Sequence, residues 1–221
     1  MSEYNENSEI NVTETEPAPP TESKLHAFLK ELFSWVVCIG AALIIAFTLR
    51  NYVFMNVKVD GASMNPTLQH GERIFTRIIG YTPKRGDIVI FNPKGEPQKA
   101  YIKRVIATEG DRIWIDEVTG KVHLKKSGEE TWEILDEPYI ANEAYNSMLP
   151  NCAVRFADDS GEEGLLIKED HIFVMGDNRN HSNDSRNDFG SYAVGQVSLD
   201  SVLGKASIRW WPLGEIGSVY K

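Results

Sequence analysis

Residues 32–49, LFSWVVCIGAALIIAFTL, form an uncharged run of 18 residues near the start of a 221-residue chain. As a helix rising about 1.5 Å per residue it covers about 27 Å, close to the roughly 30 Å hydrocarbon core of a bilayer. Trp35 on one side and Tyr52 and Phe54 on the other suit the two interfaces. The run therefore predicts a transmembrane anchor over residues 28–52. A buried core helix rarely stays uncharged for so long. A cleaved leader does not fit either, because an acidic tail precedes the run and no Ala-x-Ala closely follows it. Lys24 and Lys30 flank one end, Arg50 and Lys58 the other, so flanking charge leaves the orientation tied.

The formal net charge is −9, but residues 1–23 carry six Glu and no Lys or Arg, which leaves −3 for the rest. No basic surface exists on which to base nucleic-acid binding. The tail, residues 1–27, has too few apolar residues to fold alone and is predicted to be disordered. Cys38 and Cys152 are the only cysteines. They form neither a disulfide framework nor a zinc spacing, and neither a metal nor a cofactor is predicted.

From residue 53 to 221 the pattern is strand-like. Residues 72–78, 87–91, 100–107, 112–116, 121–124, 171–175 and 201–211 are short, β-branched or aromatic, and bounded by Gly, Pro or Asp. The expected fold is mostly β: an antiparallel sheet that closes or packs on itself. Residues 117–170 are polar and Glu-rich and are predicted to be a β-rich cap inserted between two core strands.

Three stretches carry chemistry. GASMNPTL (61–68) places a serine in a turn stiffened by Pro66. In AYIKRVIAT (100–108), strand alternation puts Lys103 on one face and Arg104 on the other. A solvated edge strand accounts for that pair; so does a lysine among apolar neighbours, where burial lowers the pKa and makes a general base. GDNRNHSNDSRNDFG (176–190) holds three Asp, two Arg and two Ser. Arg179 and His181 occupy positions where a calcium loop needs oxygen ligands. The five histidines offer no matching triad motif.

These stretches resemble, in order, the nucleophile, general-base and third boxes of bacterial type I signal peptidases, and RWWP (209–212) is similar to a short closing motif. The likeness covers roughly residues 30–116 and 171–212. It implies a membrane-anchored serine endopeptidase that removes signal peptides from exported pre-proteins after small residues of the Ala-x-Ala type. Residue by residue, it implies Ser63 as nucleophile, Lys103 as its base and Ser182 as the lysine's hydrogen-bond partner. Asp184 with Arg186 and Asp177 with Arg104 would be bracing ion pairs. Val57, Val59, Met64, Leu68, Tyr101 and Ile102 would line shallow substrate pockets, with the peptide lying between a strand at Val57–Asp60 and one at Tyr101–Lys103. The implied partners are pre-proteins emerging from the export machinery and the lipid bilayer. The implied topology is a cytoplasmic N-terminus and an extracytoplasmic domain, since cleavage occurs as carriers emerge. Gly61 stands where some members have a serine that serves the oxyanion hole, which leaves the second donor unnamed. Trp210, Trp211 and Leu213 are candidates for an apolar rim at the bilayer, although strand-end core packing is the favoured reading for the two tryptophans. Two other readings compete: a Ser–Lys self-cleaving protease resembling the SOS repressor autoproteases, and a non-enzymatic membrane-anchored binding module.

Overall fold

The computed structural model describes residues 24–48, 54–94, 96, 98–116, 119–140 and 163–220. The chain divides into two compact units, Met1–Ala46 and Phe47–Lys221. In the first, a single helix, α1, spans Lys24–Thr48. It is long and apolar enough to cross a membrane. The helix starts earlier than the predicted anchor: residues 24–27, assigned to the tail, are helical, because Leu25 and Ala27 are good helix formers joined directly to an apolar helical run. Residues 1–23 and the anchor's predicted end at 49–52 lie outside the described residues.

The second unit is built on antiparallel strands. Its main sheet contains β1 (Phe54–Lys58), β2 (Arg73–Arg77), β3 (Ile88–Phe91), β4 (Tyr101–Thr108), β9 (His171–Met175), β10 (Val197–Ser198), β11 (Val202–Trp211) and β12 (Gly217–Ser218). The order across it is β1-β2-β11-β3-β4-β9-β10, with β12 alongside β11. A smaller sheet, β7-β6-β5-β8, contains β5 (Arg112–Ile115), β6 (Val122–Lys125), β7 (Glu133–Ile134) and β8 (Leu165–Leu166). The fold is thus mostly β and antiparallel, and the sheet curls: one cleft is lined both by residues just after β1 and by β4, four places away in strand order. The insertion between β4 and β9 begins at β5, earlier than the predicted 117, because a tight turn closed by Asp111 N–H to Thr108 O at 3.0 Å starts the second sheet at once. Residues 117–118 and 141–162 of the predicted cap lie outside the described residues.

β4 lies in the middle of this sheet. It pairs with β3 on one side, in the register Val89↔Lys103, and with β9 on the other, in the register Arg104↔Met175. Alternate residues of β3 enter opposite apolar clusters. Ile88 and Ile90 join Met64, Leu68 and Ile102; Val89 and Phe91 join Val105 and Val174. A sheet buried on both faces reads as a continuous apolar run, which is why IVIF shows no alternation. Lys103 and Arg104 are 4% and 5% exposed, so the solvated-edge account of β4 does not hold.

Candidate active site

β1 ends at Lys58, two residues short of the predicted strand, although Val59 still exchanges backbone hydrogen bonds with Glu72 and Gly71 at 2.8 and 2.9 Å. The chain then turns at Gly61, whose φ of +93° lies in the region that disfavours side chains. The turn is held from both sides. Met64 and Leu68, 1% and 0% exposed, sink into the core and are joined by a Leu68 N–H to Met64 O bond of 2.9 Å. Behind the turn, Asn178 donates its backbone N–H to Ser63 O and its side-chain amide to Ala62 O, both at 3.0 Å. Ser63 is left half-buried at the cleft.

From β4, Lys103 Nζ reaches Ser63 Oγ at 2.9 Å and the carbonyl of Ile102 at the same distance. Burial lowers the Lys103 ammonium from its usual range to about 8, against the opposing pull of Asp184 and Asp177. Asp184 is fully buried. Burial pushes its carboxyl up, but Arg186 and the Gly176 N–H outweigh that and hold it below the ordinary carboxylate range. Arg186 Nε meets Asp184 Oδ1 at 2.8 Å, and Nη2 meets Oδ2 at 2.9 Å. Arg104 clasps Asp177 through Nε at 2.8 Å and Nη2 at 2.7 Å. Thr67 Oγ1 donates to the same carboxylate at 2.5 Å, tying the Ser63 turn to the loop. A half-buried serine, an amine whose neutral form is reached near pH 8 rather than above 10, and two internally balanced ion pairs suit proton transfer and nucleophilic attack.

The cleft in front of this pair holds about 470 Å³ and is lined by residues 58–64 and 99–103, with His181 and Asn183. Among the described residues, β1 is an edge of its sheet. Tyr101–Lys103 are paired only with β3, because β9 ends at Met175, opposite Arg104. Two strand edges without a neighbouring strand among the described residues thus flank the serine.

The family model described as "Signal peptidase, peptidase S26" matches residues 32–211. The chain belongs to the signal peptidase family, peptidase S26. Signal peptidase IB of Staphylococcus aureus is 31% identical over 193 residues, covering 84% of this chain and 93% of its own. Signal peptidase I of Bacillus licheniformis is 34% identical over 200 residues, covering 89% and 97%. A solved signal peptidase I from Enterococcus faecalis V583, 23% identical, covers 57% of this chain and 97% of its own at a TM-score of 0.39, a likeness too weak to add to the assignment. The protein is therefore a serine-type endopeptidase, and its reaction is signal-peptide cleavage.

In this signal peptidase the expected site residues are not all placed alike. Ser63, Lys103, Asp184, Arg186, Asp177 and Arg104 come together as described. No hydrogen bond joins Ser182 to the lysine: Lys103 Nζ is directed at Ser63 and Ile102, while the buried Ser182 hydroxyl lies beside the Asp184 carboxylate and helps to hold it low. Val59, Met64, Tyr101 and Ile102 line the cleft, whereas Val57 and Leu68 do not. Leu68 is wholly committed to the core, and Val57 packs against the same cluster. The tryptophans are not core residues. Trp211 is 45% exposed, and Trp210 stacks on Phe75 and donates to Asn56 Oδ1 at 3.0 Å. Among the described residues no group of three or more His, Cys, Asp or Glu is placed to hold a metal. The sequence reading assigned no role to Thr67, Gly176, Asn178 or Arg179, although all four stand inside its quoted motifs; their partners are remote in the chain and invisible to spacing.

Proposed function

We propose that the peptidase works by a Ser63–Lys103 mechanism and cuts after small residues of the Ala-x-Ala type. The observation that carries this reading is the 2.9 Å approach of Lys103 Nζ to Ser63 Oγ in a cleft bounded by two unpaired strand edges. Above its pKa the neutral amine accepts the Ser63 proton as Oγ attacks the scissile carbonyl. The oxyanion is met by the Ser63 backbone N–H, which makes no other hydrogen bond among the described residues. The lysine then returns the proton to the leaving amine, and water releases the acyl-enzyme by the same base. Asp177–Arg104 and Asp184–Arg186 hold the base and the loop behind it. The substrate adds as a strand between residues 58–60 and 101–103. Val59, Met64, Tyr101 and Ile102 leave room only for small side chains at the first and third positions before the cut. With purified enzyme, an Ala-x-Ala precursor is expected to be processed at least about 10²-fold faster than a Phe-x-Phe counterpart, because each bulky group must displace packed core atoms. Equal rates would refute the pocket assignment.

We further propose that α1 anchors the enzyme in the membrane, with the acidic tail cytoplasmic and residues 53–221 on the exported side, where pre-proteins leave the export machinery. The exposed Phe54, Ile208, Trp211, Leu213 and Ile216 supply an apolar surface for the bilayer interface. Protease added to intact, wall-stripped cells should digest the domain and spare an N-terminal epitope. The reverse pattern would overturn the orientation.

A further inference from the structure

Residues 117–170 contain none of the stretches that carried the family resemblance, and none of the described ones lines the cleft. Yet the segment after β7 reaches the loop that holds both aspartates. Glu137 and Arg179 are 7% and 5% exposed. The Glu137 carboxylate accepts from both terminal nitrogens of Arg179, Nη1 at 3.1 Å, and from the Tyr139 hydroxyl at 2.7 Å. Arg179 in turn spans the loop. Its Nε donates to Gly176 O at 3.1 Å, and its own carbonyl accepts from Arg186 Nη2 at 2.8 Å. Gly176 is the residue packed against Ser63 O, and its N–H is held by Asp184 Oδ2 at 2.9 Å. Two residues beyond Glu137, the Tyr139 ring lies 3.8 Å from the Arg104 guanidinium carbon, and that guanidinium grips Asp177 and Gly86 O.

One three-residue segment therefore backs both ion pairs of the loop, one by a buried carboxylate and the other by a ring face. A purely decorative insertion would leave such groups in water. Taking both charges of Glu137–Arg179 out of water carries a desolvation cost that only complete pairing offsets, so the pair contributes more to fixing geometry than to net stability. Arg on an aromatic face is likewise directional.

We infer that Glu137 and Tyr139 are positioning residues of the peptidase, acting through Arg179 and Arg104 to fix the 176–186 loop and, with it, Ser63 and Lys103. The inference rests on the Ser63–Lys103 reading. It is tested in the full chain in detergent with Glu137→Gln, Glu137→Asp, Tyr139→Phe and Tyr139→Leu, measuring kcat, KM and the folded fraction. Misplacing the loop by a fraction of an ångström should lower kcat about 10- to 100-fold in Glu137→Gln and Tyr139→Leu, with KM changed less than about threefold. Tyr139→Phe, which keeps the ring, and Glu137→Asp, which keeps the charge, should recover most of the loss. If Glu137→Gln does not fold, the contrast between Tyr139→Leu and Tyr139→Phe decides alone. Wild-type kcat in the folded variants, or a loss that disappears once the folded fraction is counted, overturns the inference. Ser63→Ala and Lys103→Ala are measured alongside: if either remains active, the Ser–Lys reading has failed instead.

Discussion

Ser63→Ala and Lys103→Ala are each expected to reduce signal-peptide cleavage to background while leaving the domain folded. Removing a general base forfeits about 10²–10⁴ in rate, and a nucleophile and its base act as one unit, so the double variant should be no worse than either single one. Folding should survive because Lys103 strands no charge when it is removed: Asp184 remains paired with Arg186 and Asp177 with Arg104. In the proposed mechanism the same lysine sets the pH dependence. Burial lowers its pKa to about 8, the neutral amine is the working form, and protonation removes it. Activity as kcat/KM should therefore fall about tenfold per pH unit below about 8 and level off above it. Near-normal turnover in Lys103→Ala, or an acid limb near 10, would reject the pair as the reacting groups.

Gly176→Ala should be nearly as damaging, although residue 176 touches no substrate. A Cβ there would lie 2.3 Å from Ser182 Oγ, 2.5 Å from Ser182 Cβ and 2.5 Å from the Ser63 carbonyl oxygen. The Ser182 hydroxyl can turn aside, but the Ser63 oxygen is backbone and cannot retreat without carrying the nucleophile with it. The Asn178 N–H that grips this oxygen belongs to the same loop, so loop and turn would be forced apart. A shift approaching 1 Å costs about 10² in rate, and overpacking of this kind costs about 1–3 kcal/mol of stability. Gly214→Ala, where nothing lies within 4 Å of the new methyl, is the control and should leave cleavage unchanged. A Gly176→Ala enzyme with wild-type kcat would mean that the loop does not set the position of Ser63.

Much of the fold was legible because strand signals are local. The seven strand stretches marked from β-branched and aromatic residues correspond to β2, β3, β4, β5, β6, β9 and β11. β1 was marked late by two residues or more, since in FMNVKVD the turn-type residue Asn56 lies inside the strand and none stands at Lys58, where the ladder stops. The alternation argument for β4 holds from Tyr101 to Val105 and then fails. A register shift between Val105 and Ala107 sends both Ile106 and Ala107 into the cluster shared with the second sheet. The tryptophans were misjudged for a related reason: the last residues of a strand can leave large apolar groups in solvent even where the strand is inside the sheet, and hydrophobicity alone does not say which.

What the sequence determined by itself is the chemistry available: an uncharged run long enough for a membrane, a sheet of short strands, and a serine, a lysine and an acidic–basic loop in motifs whose order points to one family. Those properties are carried by residue identity and near-neighbour spacing. Which groups meet was decided only by tertiary structure. Ser63 and Lys103 are forty positions apart, Arg104 and Asp177 seventy-three, and Arg179 and Glu137 forty-two. The curl of the main sheet and the second sheet's return to it bring them together. The same packing lowers the lysine pKa, because desolvation is a property of the surroundings and not of the residue. It also turns Leu68 from a pocket candidate into core and directs Lys103 at Ser63 and Ile102 rather than at Ser182. Distances of 3 Å between remote side chains depend on the summed geometry of every intervening strand, turn and bulge, and no local pattern encodes that sum.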